Sequence, residues 1–301
     1  MRIGVAATPD VAIPTLNWLR ESGHEIALII SQPDRPAGRG RELTPSPVTL
    51  WAQENGIELL RPHSPNELIG LIDNLDIVLT IGYGVLLPEA ILSLPRYGFI
   101  NLHFSLLPAY RGAAPVQRAI ESGESVTGVT VFSLDKGMDT GPIYTRAELP
   151  IQEDWRSLEL LQALAELGPH AVNEALIGIE AGVMPIPQNG LATLAPKIVK
   201  EDARLDWSLT SEKLSRKIRA FYPSPAAWSM WEVNNFKITR AHVYAADIPA
   251  GEIRVIDGDV VVGCGEATAL CLDLVIPAGK KEMNASEWAR GARLNQGAHF
   301  G

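Results

Sequence analysis

Residues Asp76–Pro88 read DIVLTIGYGVLLP. The run 77–81 is apolar at consecutive rather than alternate positions, which suits a strand covered on both faces. Gly82, Tyr83 and Gly84 then break the strand into a loop, and Pro88 is placed to start a helix. Similar short apolar runs recur on either side: IGVAA (3–7), EIALIIS (25–31), GFINLHF (98–104) and TGVTVFSL (127–134). Helical patterns fall between them, at Pro14–Ser22 and in PVTLWAQENG (47–56). Strand and helix in alternation predict an α/β domain with a doubly wound, Rossmann-like parallel sheet over 1–189. Such sheets bind ligands beyond the carboxyl ends of their strands.

SLELLQALAELGPHAVNEALIGIEAG (157–182) reads as a long amphipathic helix interrupted near Gly168-Pro169. PIPQNGLATLAPK (185–197) has little periodicity, and 190–206 is expected to be a linker. From 207 to 301 the pattern becomes one short helix, SEKLSRKIRA, followed by alternating short strands. Asn234-Asn235 and Asp257-Gly258-Asp259 suggest hairpin turns. Five or six short strands in under 100 residues predict a small β-barrel of the OB-like kind.

Composition narrows the function classes. Hydrophobic residues make up 46% of the 301 and charged residues 20%, which is ordinary globular composition. Two cysteines, Cys264 and Cys271, are too few for a disulfide framework or a Cys-rich zinc site, and both are expected to pack in the barrel. The histidines outside the catalytic segment have no ligand spacing, so no metal is expected. The longest nearly apolar run, 77–87, is about half of what spans a bilayer. The first residues lack the apolar core of a signal peptide. A cytoplasmic chain without a membrane partner is the expectation. The net charge of −9 opposes nonspecific nucleic-acid binding. It is uneven, with −10 carried by 1–206 and +1 by 207–301.

The chemistry concentrates in FINLHFSLLPAYRGAAPVQRA (99–119) and LDKGMDTGP (134–142). Asn101 and His103 are two apart, so on an extended strand they share a face. Phe104 would then face away from His103. Asp139, between Gly137 and Gly141, follows the next strand. A carboxamide, an imidazole and a carboxylate together offer an oxyanion donor, a proton acceptor and an orienting anion. No G-x-S-x-G elbow surrounds Ser105, which disfavours acyl-serine chemistry. Taken alone, a histidine near a strand end is more often structural, and Asn and Asp near turns more often cap or bond backbone.

The NLHFSLLPAYRGAAPVQRA segment, with DKGMDTG after it, resembles the signature of the folate-dependent formyltransferases. SQPDRPAGRGRELTPSPV (31–48), KIVKEDARLDWS (197–208) and PAGKKEMNASEWARG (277–291) extend the resemblance to the branch acting on methionyl-tRNA. Ala7 and Val11 depart from the usual glycine and phenylalanine of the first turn. Both are tolerable if the backbone there keeps negative φ.

The resemblance implies a donor, 10-formyltetrahydrofolate, and an acceptor, the α-amino group of initiator methionyl-tRNA. It implies no metal, and the chain is expected to act as a monomer. Asn101, His103 and Asp139 match the family's catalytic residues, with Asp139 fixing the imidazole tautomer. Folate contacts are implied for Gly82, Tyr83, Gly84, Val85, Leu86, Leu87 and Pro88, and for the turn Ser105, Leu106, Leu107 and Pro108. tRNA contacts are implied for Arg35, Arg39 and Arg41 on the long loop 32–48. A second set is Lys213, Arg216 and Lys217 on the short helix. An amino-sugar-nucleotide formyltransferase, a noncatalytic RNA-binding protein and a formyl-folate hydrolase are the alternatives. The basic loop speaks against the first, which would share a related second domain; the Asn-His-Asp set and the overall acidity speak against the second, and the small barrel against the third.

Overall fold

A computed structural model describes residues 1–37, 42–295 and 297–301. The chain groups into two compact units. The first holds Met1–Pro115, Val126–Pro150 and Leu161–Pro196; the second holds Val116–Ser125, Ile151–Leu160 and Lys197–Gly301.

The first unit is built on a seven-stranded sheet. Its strands are β1 (Arg2–Ala7), β2 (Glu25–Ile30), β3 (Leu59–Leu60), β4 (Ile77–Ile81), β5 (Phe99–His103), β6 (Val126–Ser133) and β7 (Ile143–Pro150). Their order is β7-β6-β5-β4-β1-β2-β3. Strands β1 to β5 are parallel. The order reverses between β1 and β4, the switch point at which doubly wound sheets open a crevice. Gly82 sits there with φ +58°, and a Cβ on it would lie 2.7 Å from Pro9 Cγ, so glycine is needed where the chain leaves β4. Ala7 is fully buried at the end of β1 and is absent from the positive-φ residues, as its tolerance requires.

Two expectations need correction. β6 runs antiparallel to β5, and β7 antiparallel to β6. The interior of β6 is buried on both faces, like the parallel strands, so its pattern carried no sign of direction. The helix α1 (Ser157–Glu180) is also uninterrupted, with Pro169 inside it. A Cβ at Gly168 would lie 2.7 Å from Leu102 Cδ2 and 3.0 Å from Thr15 Oγ1. Close packing of this helix on β5 fixes the segment that helix propensity alone would break.

In the second unit, α2 (Ser211–Ala220) precedes the strands β8 (Ala227–Trp231), β9 (Asn234–Tyr244), β10 (Ile253–Ile256), β11 (Asp259–Cys264) and β12 (Thr268–Ile276). The main path of this antiparallel sheet is β8-β9-β12-β11-β10, and Met283–Asn284 pairs with β12. The C-terminal residues meet both edge strands: Phe300 bridges Trp231 at the end of β8, and His299 bridges Glu252 just before β10. Phe300, Trp207, Phe236 and Trp288 form the aromatic centre of the core. The first hairpin turns at Glu232-Val233 rather than at Asn234-Asn235, because Trp231 pairs with Asn234. Asp257-Gly258 turns as expected, both residues at positive φ. No helix among the described residues is long and apolar enough to cross a membrane.

Candidate active site

A cleft of about 520 Å³ opens in the first unit, within the range that holds a cofactor-sized ligand. Its walls come from the loop after β4, the end of β5 and the loop after β6. Gly82 to Leu87, Asn101, His103, Phe104, Gly112 and Asp139 are among the lining residues. Thus Asn101, His103, Asp139 and the 82–87 loop meet in one place.

β5 presents Asn101 and His103 to the same side, and β6 brings the third group. Its exit, at Leu134, is tied to β5 by a hydrogen bond from the Leu134 N–H to the Phe99 carbonyl (2.8 Å). The following loop carries Asp139 Oδ2 to 3.8 Å from His103 Nδ1. The Gly112 N–H donates to that same Oδ2 at 2.8 Å. Asp139 holds φ +53°, a left-handed conformation that aspartate accepts more readily than most residues.

The imidazole is 6% exposed and meets Phe132 edge-on, with ring centroids 6.4 Å apart. Its Nε2 lies 3.0 Å from the Tyr110 carbonyl. A carbonyl only accepts, so Nε2 carries the proton and Nδ1 of the neutral ring is the acceptor. This corrects the expected role of Asp139: the Tyr110 carbonyl, not the carboxylate, selects the tautomer. The carboxylate instead stands where a proton arriving on Nδ1 would be stabilised.

Burial holds the His103 pKa below the usual imidazole value; Asp139 and the Tyr110 carbonyl pull it partly back up. His103 is therefore neutral near pH 7. An NMR titration of its ring should give a midpoint below about 6.5. Asp139→Asn removes a raising influence, so the midpoint should move further down; an upward move would contradict this electrostatic arrangement.

Thr80 completes the centre, although sequence reasoning missed it. Its hydroxyl lies 2.7 Å from Asn101 Oδ1 and 3.1 Å from the Ile100 carbonyl. With its oxygen toward Thr80, the Asn101 amide directs its N–H donors to the cleft. A lone hydroxyl within the aliphatic run 77–81 was the available signal.

Several implied contacts fall elsewhere. Ser105, Leu106, Leu107 and Pro108 are not among the cleft-lining residues. Ser105 Oγ donates to the Ala109 carbonyl at 2.6 Å, and Thr130 Oγ1 links Ser105 O to the Leu107 N–H. Leu107 is buried against Phe132 and Ile143. Internal bonding thus turns this segment inward. Pro88 is exposed and starts the short helix Glu89–Leu92 beyond the wall. Phe104 lies on the cleft wall instead of facing away, because β5 ends at His103 and strand alternation stops there.

Arg35 is on a short strand, Arg35–Ala37, paired with Glu42–Thr44, and its guanidinium donates to Gln32 Oε1. Gln32 in turn donates to the Tyr83 carbonyl. Arg39 and Arg41 lie outside the described residues. On α2, Lys213 is exposed and Lys217 half-buried. Arg216 lies beside Gly123, where a Cβ would meet its guanidinium, and Arg219 donates to the Trp155 carbonyl at 2.8 Å. The basic helix is therefore partly folded into its own unit.

One cluster was not visible from spacing. His242 Nδ1, Cys271 Sγ and an Asp273 oxygen lie within 4.8 Å of one another. His242 is 3.1 Å from Asp273, and burial with two nearby carboxylates pushes the Cys271 thiol up to about 11. The thiol is thus protonated near neutral pH.

Comparison with known proteins identifies the family. Residues 1–176 match the formyl transferase family and 197–293 the formyl transferase C-terminal domain. The methionyl-tRNA formyltransferase of Frankia alni is 42% identical over 307 residues, covering 98% of this chain and 92% of that protein. That of Acidothermus cellulolyticus is 41% identical with complete coverage of both. The crystal structure of an N-formyltransferase from Helicobacter canadensis with folinic acid and dTDP-3-aminofucose shares the fold. Its TM-score is 0.70 at 16% identity, over 90% of this chain and 98% of that one. With both modules present and this identity spanning nearly its whole length, the chain belongs to the formyl transferase family, in the methionyl-tRNA formyltransferase group.

Proposed function

We propose that the cleft transfers the formyl group of 10-formyltetrahydrofolate to the α-amino group of methionine on initiator tRNA, with Asn101, His103 and Asp139 as catalytic residues. The observation that carries this reading is the convergence of one amide donor, one neutral imidazole and one carboxylate on a single cleft beside the 82–87 loop. Apolar side chains and backbone groups of that loop suit a pterin, which is flat and edged with donors and acceptors. The first unit supplies the reaction centre, and the chain from 207 onward supplies tRNA contacts through Lys213 and Lys217.

A free α-amino group has a pKa of about 7.7–8.0, and the neighbouring ester lowers it, so a neutral fraction is present near pH 7. The amine nitrogen attacks the formyl carbon, and the carbonyl oxygen becomes an oxyanion that accepts from the Asn101 Nδ2–H. His103 Nδ1 takes a proton from the nitrogen, and Asp139 stabilises the resulting imidazolium. The carbon–N10 bond then breaks, the proton passes to N10, and the products are formylated aminoacyl-tRNA and tetrahydrofolate.

Incubating the chain with formyl-folate and methionine-charged initiator tRNA tests this directly. Formylated methionyl-tRNA supports it. No product there, with product on a nucleotide-linked amino sugar, would overturn the acceptor assignment. Salt provides an independent check on the partner. Each phosphate contact adds a slope of about −0.9 in log affinity against log salt, so about three contacts lose roughly 40-fold over a fourfold rise. TRNA affinity should fall in this way while folate affinity changes little. Parallel losses would rule out a separate electrostatic tRNA surface.

A further inference from the structure

Gln188 lies between exposed Pro187 and Asn189, in a stretch that the sequence offers as connector, yet its side chain turns inward. Its Nε2 donates to the Asp139 carbonyl and to the Gly141 carbonyl, both at 2.8 Å. Its Oε1 accepts from Arg111 Nε at 3.2 Å and from Arg111 Nη2 at 2.6 Å. The residue after Arg111, Gly112, gives its N–H to the Asp139 carboxylate. Backbone and side chain of Asp139 are thus tied to the same two-residue segment, one directly and one through Gln188.

The ends of this connection are fixed. Ile186 and Ile143 exchange backbone hydrogen bonds at 2.7 and 2.8 Å. Leu194–Ala195 pairs in parallel with Arg111–Gly112, and the Tyr110 N–H donates to Thr193 Oγ1. Gln188 therefore spans a short gap between two stitched segments.

The chemistry of the four bonds specifies the residue. A guanidinium can only donate and a carbonyl can only accept, so the bridging group needs two donors on one atom and an acceptor on the other. A primary amide meets this requirement, and here all four bonds fix which end is nitrogen. Glutamate could keep Arg111 but would turn oxygen toward two carbonyl oxygens. The left-handed backbone of Asp139 is a conformation that persists when its surroundings over-determine it, and Gln188 supplies part of that constraint.

We propose that Gln188 is a positioning residue: it holds the 139–141 backbone so that the Asp139 carboxylate stays opposite His103 Nδ1. This rests on the reading of the cleft as a formyl-transfer site. The test uses the full chain with Gln188→Ala, Gln188→Glu, Asp139→Asn and the double variant Gln188→Ala/Asp139→Asn. Turnover of Gln188→Ala should fall about 10- to 100-fold, the range expected when a reacting group is misplaced by about 1 Å. The KM for the folate donor should stay within about threefold. Gln188→Glu should fall at least as far. Adding Gln188→Ala to Asp139→Asn should cost less than about twofold more, because both act through one carboxylate.

A substrate-free readout separates this inference from the reading beneath it. Of the groups around the imidazole, Asp139 and the Tyr110 carbonyl act on its titration, and exposed Asp135 lies on the same loop. Releasing Asp139 should lower the His103 NMR midpoint in Gln188→Ala, as in Asp139→Asn. Wild-type turnover in Gln188→Glu, additive losses in the double variant, or an unmoved midpoint would overturn the positioning role. A shifted midpoint in a chain whose wild type transfers no formyl group would overturn the transfer reading and leave the positioning role intact.

Discussion

Replacing His103 with alanine should reduce formyl transfer by about 10² to 10⁴, the usual contribution of a placed general base. The structure gives that range a specific origin. Nε2 is committed to the Tyr110 carbonyl, which leaves Nδ1 as the acceptor beside Asp139. No other cleft-lining side chain combines a neutral nitrogen acceptor with a carboxylate 3.8 Å away among the described residues. The substitution removes a ring from a cleft wall, so the space opens to the cleft rather than remaining a closed cavity, and the fold should survive. Turnover with charged initiator tRNA, alongside a thermal melt, checks this. A well-folded variant keeping more than a tenth of wild-type turnover would show that water or another group takes the proton.

Asn101→Ala should cost about 10² to 10³ in turnover, the effect of removing one oxyanion donor, or about 2.7–4 kcal/mol of transition-state stabilisation. The affected step is the one in which charge develops on the formyl oxygen, so the KM for either substrate should change little. Thr80 keeps a partner in the variant, since the Ile100 carbonyl lies 3.1 Å from its hydroxyl, so no buried donor is orphaned. This separates a catalytic effect from a folding one. A loss below about threefold, or a rise in KM at constant turnover, would move Asn101 from oxyanion donor to ground-state contact.

The two predictions draw on residues whose legibility in the sequence differed. Asn101 and His103 could be placed together because a strand has a period of two, and Asp139 could be assigned through its motif. Thr80 was harder, since one threonine in a strand reads as β propensity. Gln188 gave no signal, because its partners are two backbone carbonyls and an arginine at least 47 residues away. Ser105 is the opposite case. It belongs to the recognisable motif, yet its hydroxyl is spent on the Ala109 carbonyl.

The fold divides in the same way. Apolar runs identified β1, β2, β4 and β5, because strands covered on both faces are mostly apolar, with Thr80, Asn101 and His103 as the polar positions that reach the cleft. Direction is a different property. Val126–Ser133 has the same burial in either orientation, and only pairing with β5 made it antiparallel. β6 therefore leaves beside Phe99 and Ile100, and the loop from Leu134 carries Asp139 back to His103.

From sequence alone, this protein was determined to have strand-forming runs, a two-part organisation and an amide, an imidazole and a carboxylate suited to acyl-group transfer. Those properties reside in side-chain type and short-range spacing. Tertiary structure decided the imidazole tautomer, the partner of Arg111 and the approach of Asp139 to His103. The reason is that backbone carbonyls such as those of Tyr110 and Asp139 are chemically alike at every position. Which one meets a given side chain is therefore settled when distant segments pack together.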